Sequence, residues 1–257
     1  MRLRDLSFLE SNLIAHRGFF DNANGIPENS MIAFERAIEN SYIIELDVHL
    51  LKDGKIVVFH DDNLGRMTGV DKKIKDCTYE DIKNLRLLKT NEKIPLFEDV
   101  LRLVDGRVAI LIELKYDVKV GLLEQKILPM LHKYTGKYAV QSFNPMTIMW
   151  FRKNAPQIIR GQLASGFLKS KMSYIKRYFM ANMKFNYFTK PDFISYDVKS
   201  IDKILYKNRK KVKILGWTVR DKETYEKYVE ICDNLICENF KFITKKLEKK
   251  INMVYIN

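Results

Sequence analysis

Ile43-Ile44-Glu45-Leu46-Asp47-Val48 alternates apolar and acidic residues, and Ile110-Leu111-Ile112-Glu113-Leu114-Lys115 repeats the pattern further along. Side chains two apart on a strand share a face, so Glu45 and Asp47 project together, as do Glu113 and Lys115, while Ile44, Leu46 and Val48 take the other side. In a barrel the apolar set faces surrounding helices and the acids face the axis. Working outward, the chain repeats a short apolar run followed by an amphipathic stretch, the sequence form of alternating strand and helix. Strands are expected at 13–17, 43–48, 108–115, 138–143, 158–163, 193–196, 212–219 and 234–237. Helices are expected at 30–39, 96–104, 120–133, 145–153, 172–183, 203–209 and 222–232. Eight strands with seven helices between them in 257 residues match the size of one TIM (β/α)8 barrel, and no GxGxxG or GxxxxGK[ST] loop supports a nucleotide-binding open sheet. The expectation is one catalytic domain over 1–257.

One apolar run, 55–59, follows the second strand after only Lys52-Asp53-Gly54. A parallel crossover needs about a dozen residues, so this link makes a hairpin. From Asp61 to Lys93 the chain is polar and lysine-rich, so 51–95 reads as a hairpin-containing insertion on the catalytic face.

Three acids aimed at one barrel mouth repel one another, and buried carboxylates are costly unless compensated. A divalent cation resolves that, and an all-oxygen donor set suits Mg²⁺ or Ca²⁺. The alternative is a set of strand-end acids in salt bridges with Lys115 and Arg17. Two acids at i, i+2 with a third in the equivalent place favour the metal. His16 and His60 each stand where an apolar run meets a loop, and a pair of imidazoles beside a reacting group can divide general-base and general-acid duty. His49 and His132 are read as packing or surface residues.

Taken in order, His16-Arg17-Gly18, Pro27-Glu28-Asn29-Ser30, Glu45-Leu46-Asp47-Val48, Lys52-Asp53-Gly54, Val57-Val58-Phe59-His60-Asp61, Ile112-Glu113-Leu114-Lys115 and Gly216-Trp217-Thr218-Val219 resemble the glycerophosphodiester phosphodiesterase family. The resemblance implies a TIM barrel whose top face holds a divalent metal and cleaves glycerophosphodiesters to sn-glycerol 3-phosphate and an alcohol. It makes Glu45, Asp47 and Glu113 the metal ligands and His16 and His60 the acid/base pair. Arg17 and Lys115 would grip phosphate, a fork and a point charge suited to its oxygens. Glu28 would orient Arg17 or the substrate, with Asn29 or Ser30 capping the first helix. Gln141 and Trp217 end strands that point at the same mouth, where Trp217 could stack on glycerol. The chain departs from the family at Arg220, where Asn is frequent, and at Cys237-Glu238-Asn239-Phe240, where Thr-(Asn/Asp)-x-Pro is common. These departures are expected to leave the metal and histidines untouched and to bear on the alcohol portion of the substrate.

Two rival readings use the same residues: a lysophospholipase D or sphingomyelinase D-like enzyme on membrane lipids, and a catalytically silent barrel that binds anions. Intact acids and histidines argue against the second.

Lys and Arg total 45 against 32 acidic residues, a net charge of +13, which favours an anionic partner. Between Gln125 and Pro191 there are twelve Lys and Arg and no Asp or Glu. Within that segment, 167–188 interleaves Lys169, Lys171, Lys176, Arg177 and Lys184 with Met172, Tyr174, Ile175, Tyr178, Phe179, Met180, Met183, Phe185, Tyr187 and Phe188. That composition fits an interfacial helix docking the mouth on an anionic membrane surface, or a helix packed on the barrel with solvated lysines. No recognised motif supports a nucleic-acid partner. Asp5 and Glu10 interrupt any leader-like apolar run, there is no stretch of ~18 uncharged apolar residues, and Cys77, Cys232 and Cys237 form no disulfide pattern. Cytoplasmic residence, peripheral at the membrane, is expected; nothing in the sequence sets an oligomeric state.

Overall fold

The computed structural model describes residues 4–115, 118–166, 173–200 and 212–238. Eight parallel strands close on themselves: β1 (Ile14–Ala15), β2 (Ile43–Leu50), β4 (Ile110–Leu114), β5 (Tyr138–Ser142), β6 (Arg160–Ala164), β7 (Phe193–Asp197), β8 (Lys213–Val219) and β9 (Asn234–Cys237). Closure comes from β1, which pairs in parallel with both β2 and β9. This is the TIM barrel. The remaining strand, β3 (Ile56–Val58), runs antiparallel to β2 with Val48 opposite Val58. Gly54 makes that hairpin possible, because its φ of +82° lies in the left-handed region that a side chain disfavours. The helix expected at 203–209 and the first part of 167–188 lie outside the described residues.

The alternation in β2 and β4 places the site. Ile44, Leu46, Val48, Ile110 and Ile112 pack outward against Phe34 of the Met31–Glu39 helix and Phe97 and Val100 of the Phe97–Val104 helix. Inward-facing Ile43, Leu111, Ala139, Phe193, Leu215 and Ile236 close the barrel floor, which Leu9 of the Ser7–Leu9 turn seals from below. Glu45, Asp47 and Glu113 stand further along the same faces, so they are held above an apolar floor and open only upward. On β6 the inward position is Gly161, where an added Cβ would lie 2.1 Å from the Phe193 ring. Glycine is what lets that ring span the barrel.

The 51–95 segment is less polar in structure than its lysines suggest. Leu64, Met67, Ile74, Cys77, Ile82 and Leu87 form a buried cluster of their own with Val57 and Phe59. Short helices occupy Gly65–Thr68 and Tyr79–Ile82, the second closed by a capping box between Thr78 and Asp81. One turn of helix shows no amphipathic period, so only the caps could have signalled these elements.

Candidate active site

Every residue that the sequence singles out for chemistry lies at the C-terminal end of the barrel, where the βα loops of this fold place their chemistry. Glu45, Asp47 and Glu113 are buried, and each offers a carboxylate oxygen within 4.8 Å of the others. Burial, followed by the charges of Asp47 and Glu113, pushes the Glu45 carboxyl well above the usual carboxylate range. Asp47 behaves oppositely. Burial disfavours its charge too, but Lys115 and then His60 and Arg17 outweigh it and hold Asp47 below the usual range. Lys115 Nζ sits 2.7 Å from both Asp47 Oδ1 and Glu113 Oε1, so an ammonium already bridges two of the three acids.

Arg17 is aimed by its backbone. With a φ of +54° it adopts the left-handed conformation, and its N–H donates to Glu45 Oε2 at 3.0 Å. Such a conformation in a non-glycine residue costs energy that the surrounding contacts must offset. Arg17 Nη1 donates to Glu28 Oε1 at 2.6 Å, and Arg66 Nη1 and Nη2 fork onto the same carboxylate at 3.0 and 2.7 Å. Burial opposes ionisation of Glu28, but the Arg66 hydrogen bonds and the Arg17 charge outweigh it and hold the carboxyl at about 2. Glu28 therefore orients Arg17, while Ser30 caps the first helix through Ala33 N–H. Asn29 has another task. Its Nδ2 donates to Asp47 Oδ2 at 2.9 Å.

The two histidines are built alike. His16 Nδ1 lies 2.6 Å from Glu238 Oε1, and Arg220 donates to both oxygens of that glutamate at 2.7 and 3.1 Å. His60 Nδ1 lies 2.6 Å from Asp61 Oδ1, and Arg66 Nε donates to Asp61 Oδ2 at 2.6 Å. A carboxylate at Nδ1 fixes the proton there and leaves Nε2 with its lone pair. Burial pulls the His16 pKa below its ordinary value despite the Glu238 bond. This corrects one expectation: the departures at Arg220 and Glu238 do not leave the histidines untouched, because together they form the support behind His16. The signal was in the sequence as Arg220 in place of a frequent Asn and Glu238 in place of Asn or Asp, but only the pairing of β9 with both β8 and β1 brings them to His16.

Gln141 also proves to be a support. Its Nε2 is 3.4 Å from Glu45 Oε1 while Ser195 Oγ donates to its Oε1 at 2.7 Å, so a buried chain from β7 through β5 steadies the first acid. Nothing in the sequence marked Ser195. Trp217 lines the mouth with its ring edge-on to Phe143, centroids 5.6 Å apart. His49 is fully buried, with Nε2 3.3 Å from the His60 carbonyl oxygen, and His132 meets Gln157 on the surface.

Two imidazoles backed by carboxylates beside an acidic well, with an arginine and a lysine at hand for an anion, suit the transfer of a phosphoryl group between oxygens. The fold and this mouth thus define a barrel phosphodiesterase. The family model of the glycerophosphoryl diester phosphodiesterase family matches residues 16–238, and the chain belongs to that family. A glycerophosphodiester phosphodiesterase of Caldanaerobacter subterraneus subsp. tengcongensis is 30% identical over 233 residues, covering 86% of this chain and 91% of the relative. The crystal structure of glycerophosphodiester phosphodiesterase from Thermotoga maritima superposes with a TM-score of 0.71 at 26% identity, covering 91% of this chain and 97% of that one. An Oleispira antarctica phosphodiesterase, described in complex with its product sn-glycerol-3-phosphate, shares the fold with a TM-score of 0.73 at 20% identity over 88% of this chain and 92% of that one. The chain is a phosphoric diester hydrolase of this family rather than a silent anion-binding barrel.

Proposed function

We propose that the enzyme hydrolyses glycerophosphodiesters to sn-glycerol 3-phosphate and an alcohol, with Glu45, Asp47 and Glu113 holding one divalent cation, Mg²⁺ or Ca²⁺. The residues fit such an ion: three buried carboxylates converge, their donor atoms are all oxygen, and the Glu45 pKa, raised by burial and then by the charges of Asp47 and Glu113, records a charge deficit that a cation relieves. When bound, the cation supplies positive charge against the phosphate oxygens and the developing alkoxide. Arg17, held by Glu28, gives phosphate a guanidinium donor of fixed orientation, and Lys115 adds a point charge. One histidine accepts at Nε2 the proton of the attacking O–H, from water or a neighbouring substrate hydroxyl. The other enters as the imidazolium, gives its Nε2 proton to the leaving alkoxide and becomes neutral, and Glu238 and Asp61 stabilise whichever imidazole is charged. Gln141 steadies Glu45, and Trp217 offers a ring face to the glycerol carbons. The reading takes the chain as one catalytic domain, with 51–95 as an insertion that supplies His60, Asp61 and Arg66. It places the enzyme in the cytoplasm. No helix of the described residues is long and apolar enough to cross a membrane.

The observation that carries this reading is the matched pair of carboxylate contacts, both 2.6 Å, behind His16 and His60 on either side of the acids. Turnover of a panel of glycerophosphodiesters with and without Mg²⁺ or Ca²⁺ tests it. His16→Ala and His60→Ala should each lower kcat by roughly 10²-fold or more. Full activity in excess EDTA would remove the metal, and a His60→Ala enzyme with normal kcat on a poor leaving group would reduce that histidine to packing.

A further inference from the structure

The connection between β6 and β7 presents an apolar face the wrong way round. Of the nine large hydrophobic side chains exposed among the described residues, six are Tyr174, Ile175, Tyr178, Phe179, Tyr187 and Phe188. Four of them lie on the Tyr174–Ala181 helix, where positions 174, 175, 178 and 179 share one side at 100° per residue. A helix clothing a barrel turns such a stripe inward. Here Tyr174 and Ile175 are 73% and 71% exposed. The segment is nevertheless anchored: Met183 is buried in the core, Arg152 donates to the Phe188 carbonyl, and Arg160 Nη2 donates to the Lys190 carbonyl at 3.2 Å.

The stripe belongs to the catalytic end of the barrel. The Ala181 carbonyl accepts from the Tyr196 hydroxyl at 3.2 Å, and Tyr196 immediately precedes Asp197, which lines the mouth. The chain also leaves β6 at that end, where Gly166 N–H donates to Ser200 Oγ at 2.7 Å. Charge says what covers the stripe. Residues 125–191 hold twelve of the thirteen excess positive charges and no acid. A second copy would bring two such faces together against like charge. Tyrosine and phenylalanine beside Lys and Arg match the interface of an anionic leaflet, where rings enter the headgroup layer and cations meet lipid phosphate.

We propose that the exposed face around Tyr174–Ala181 docks the barrel mouth onto an anionic bilayer surface. Docking stands apart from the catalytic reading, and its consequence, access to phosphodiesters released at that surface, rests on it. Sedimentation of the full chain with phosphatidylcholine vesicles, with and without phosphatidylglycerol, tests the proposal. Partitioning should rise roughly tenfold or more with the anionic lipid, fall with added salt, and drop by a similar factor in two separate variants, Tyr174→Ser/Ile175→Ser and Arg177→Glu/Lys184→Glu. Neither variant touches the site, so each should keep its turnover of soluble glycerophosphocholine, which certifies the fold. Absence of anion-dependent sedimentation at low salt overturns the proposal. So does unchanged binding in both variants, or self-association that Ile175→Ser abolishes in a chain that ignores vesicles.

Discussion

At the scale of single residues, the site is a set of charges that each need another. Glu45 lies outside the two contacts of the Lys115 ammonium and meets instead the His16 ring, Nε2 3.9 Å from Oε2, which makes it the most informative substitution. Because its folded pKa is raised, ionising it costs stability as pH climbs above the ordinary 4.5, and Glu45→Gln removes that cost. We expect the metal-free variant to melt at or above the parent while losing both turnover and the rise in Tm that Mg²⁺ or Ca²⁺ gives the parent. Calorimetry with and without the ion decides it. Glu238 is the second test. An imidazole without its carboxylate loses the tautomer and stabilisation that proton transfer needs, so Glu238→Gln should lower kcat by about one to two orders of magnitude with KM little changed. Glu238→Asp should recover part of that loss, and the limb of the kcat–pH profile assigned to His16 should move in Glu238→Gln. A uniform fall in kcat and stability with an unmoved profile would make Glu238 merely structural.

Acid stability is also written in individual carboxylates. Burial works against the charge of Glu238, but His16 and Arg220 hold its carboxyl at about 2, as the two arginines do for Glu28. Both groups therefore stay ionised in the fold while the unfolded chain takes up protons near 4.5. Their stabilisation is complete above that pH and is lost as pH falls towards 2, each contributing on the order of a few kcal/mol. Urea unfolding at steps between pH 5 and pH 2.5 should show this slope, and Glu28→Gln should flatten it.

At the scale of elements, strand alternation and a few glycines decide what reaches the mouth. Gly161 is the sharpest case, since the Phe193 ring occupies the space its side chain would take. Gly161→Ala forces that ring to move within a closed barrel, and overpacking of this kind costs roughly 1–3 kcal/mol or more. Denaturant titration should show the loss, and Gly161→Ala/Phe193→Leu should recover part of it. The 51–95 segment is the other case. His60, Asp61 and Arg66 are delivered by a stretch that buries Leu64, Ile74 and Ile82 in its own cluster, so Ile74→Ala should cost about 2–5 kcal/mol and disturb His60 before it disturbs Glu113. A loss of kcat without loss of the metal-induced stabilisation would show that order.

At the scale of the whole molecule, positive charge is gathered along one arc of the barrel while the acids are sunk in its mouth. The strand order, the inward placement of Glu45, Asp47, Glu113 and Lys115, and the hairpin after β2 were legible because period-two alternation and an Asp-Gly turn are local properties of the chain. His16 and His60 were legible where apolar runs meet loops, and family-like motifs, each a short contiguous word, added the phosphate role of Arg17. What the sequence could not show is contact between distant words. Arg220 and Glu238 looked like departures in separate strands until closure of β9 on β1 set them behind His16. Ser195 beneath Gln141, Arg66 across Glu28, and Asn29 on Asp47 are likewise pairings made by the barrel. The outward turn of the Tyr174–Ala181 stripe belongs with them, because amphipathic spacing fixes that a helix has an apolar side and only the packing of its neighbours fixes which way that side faces.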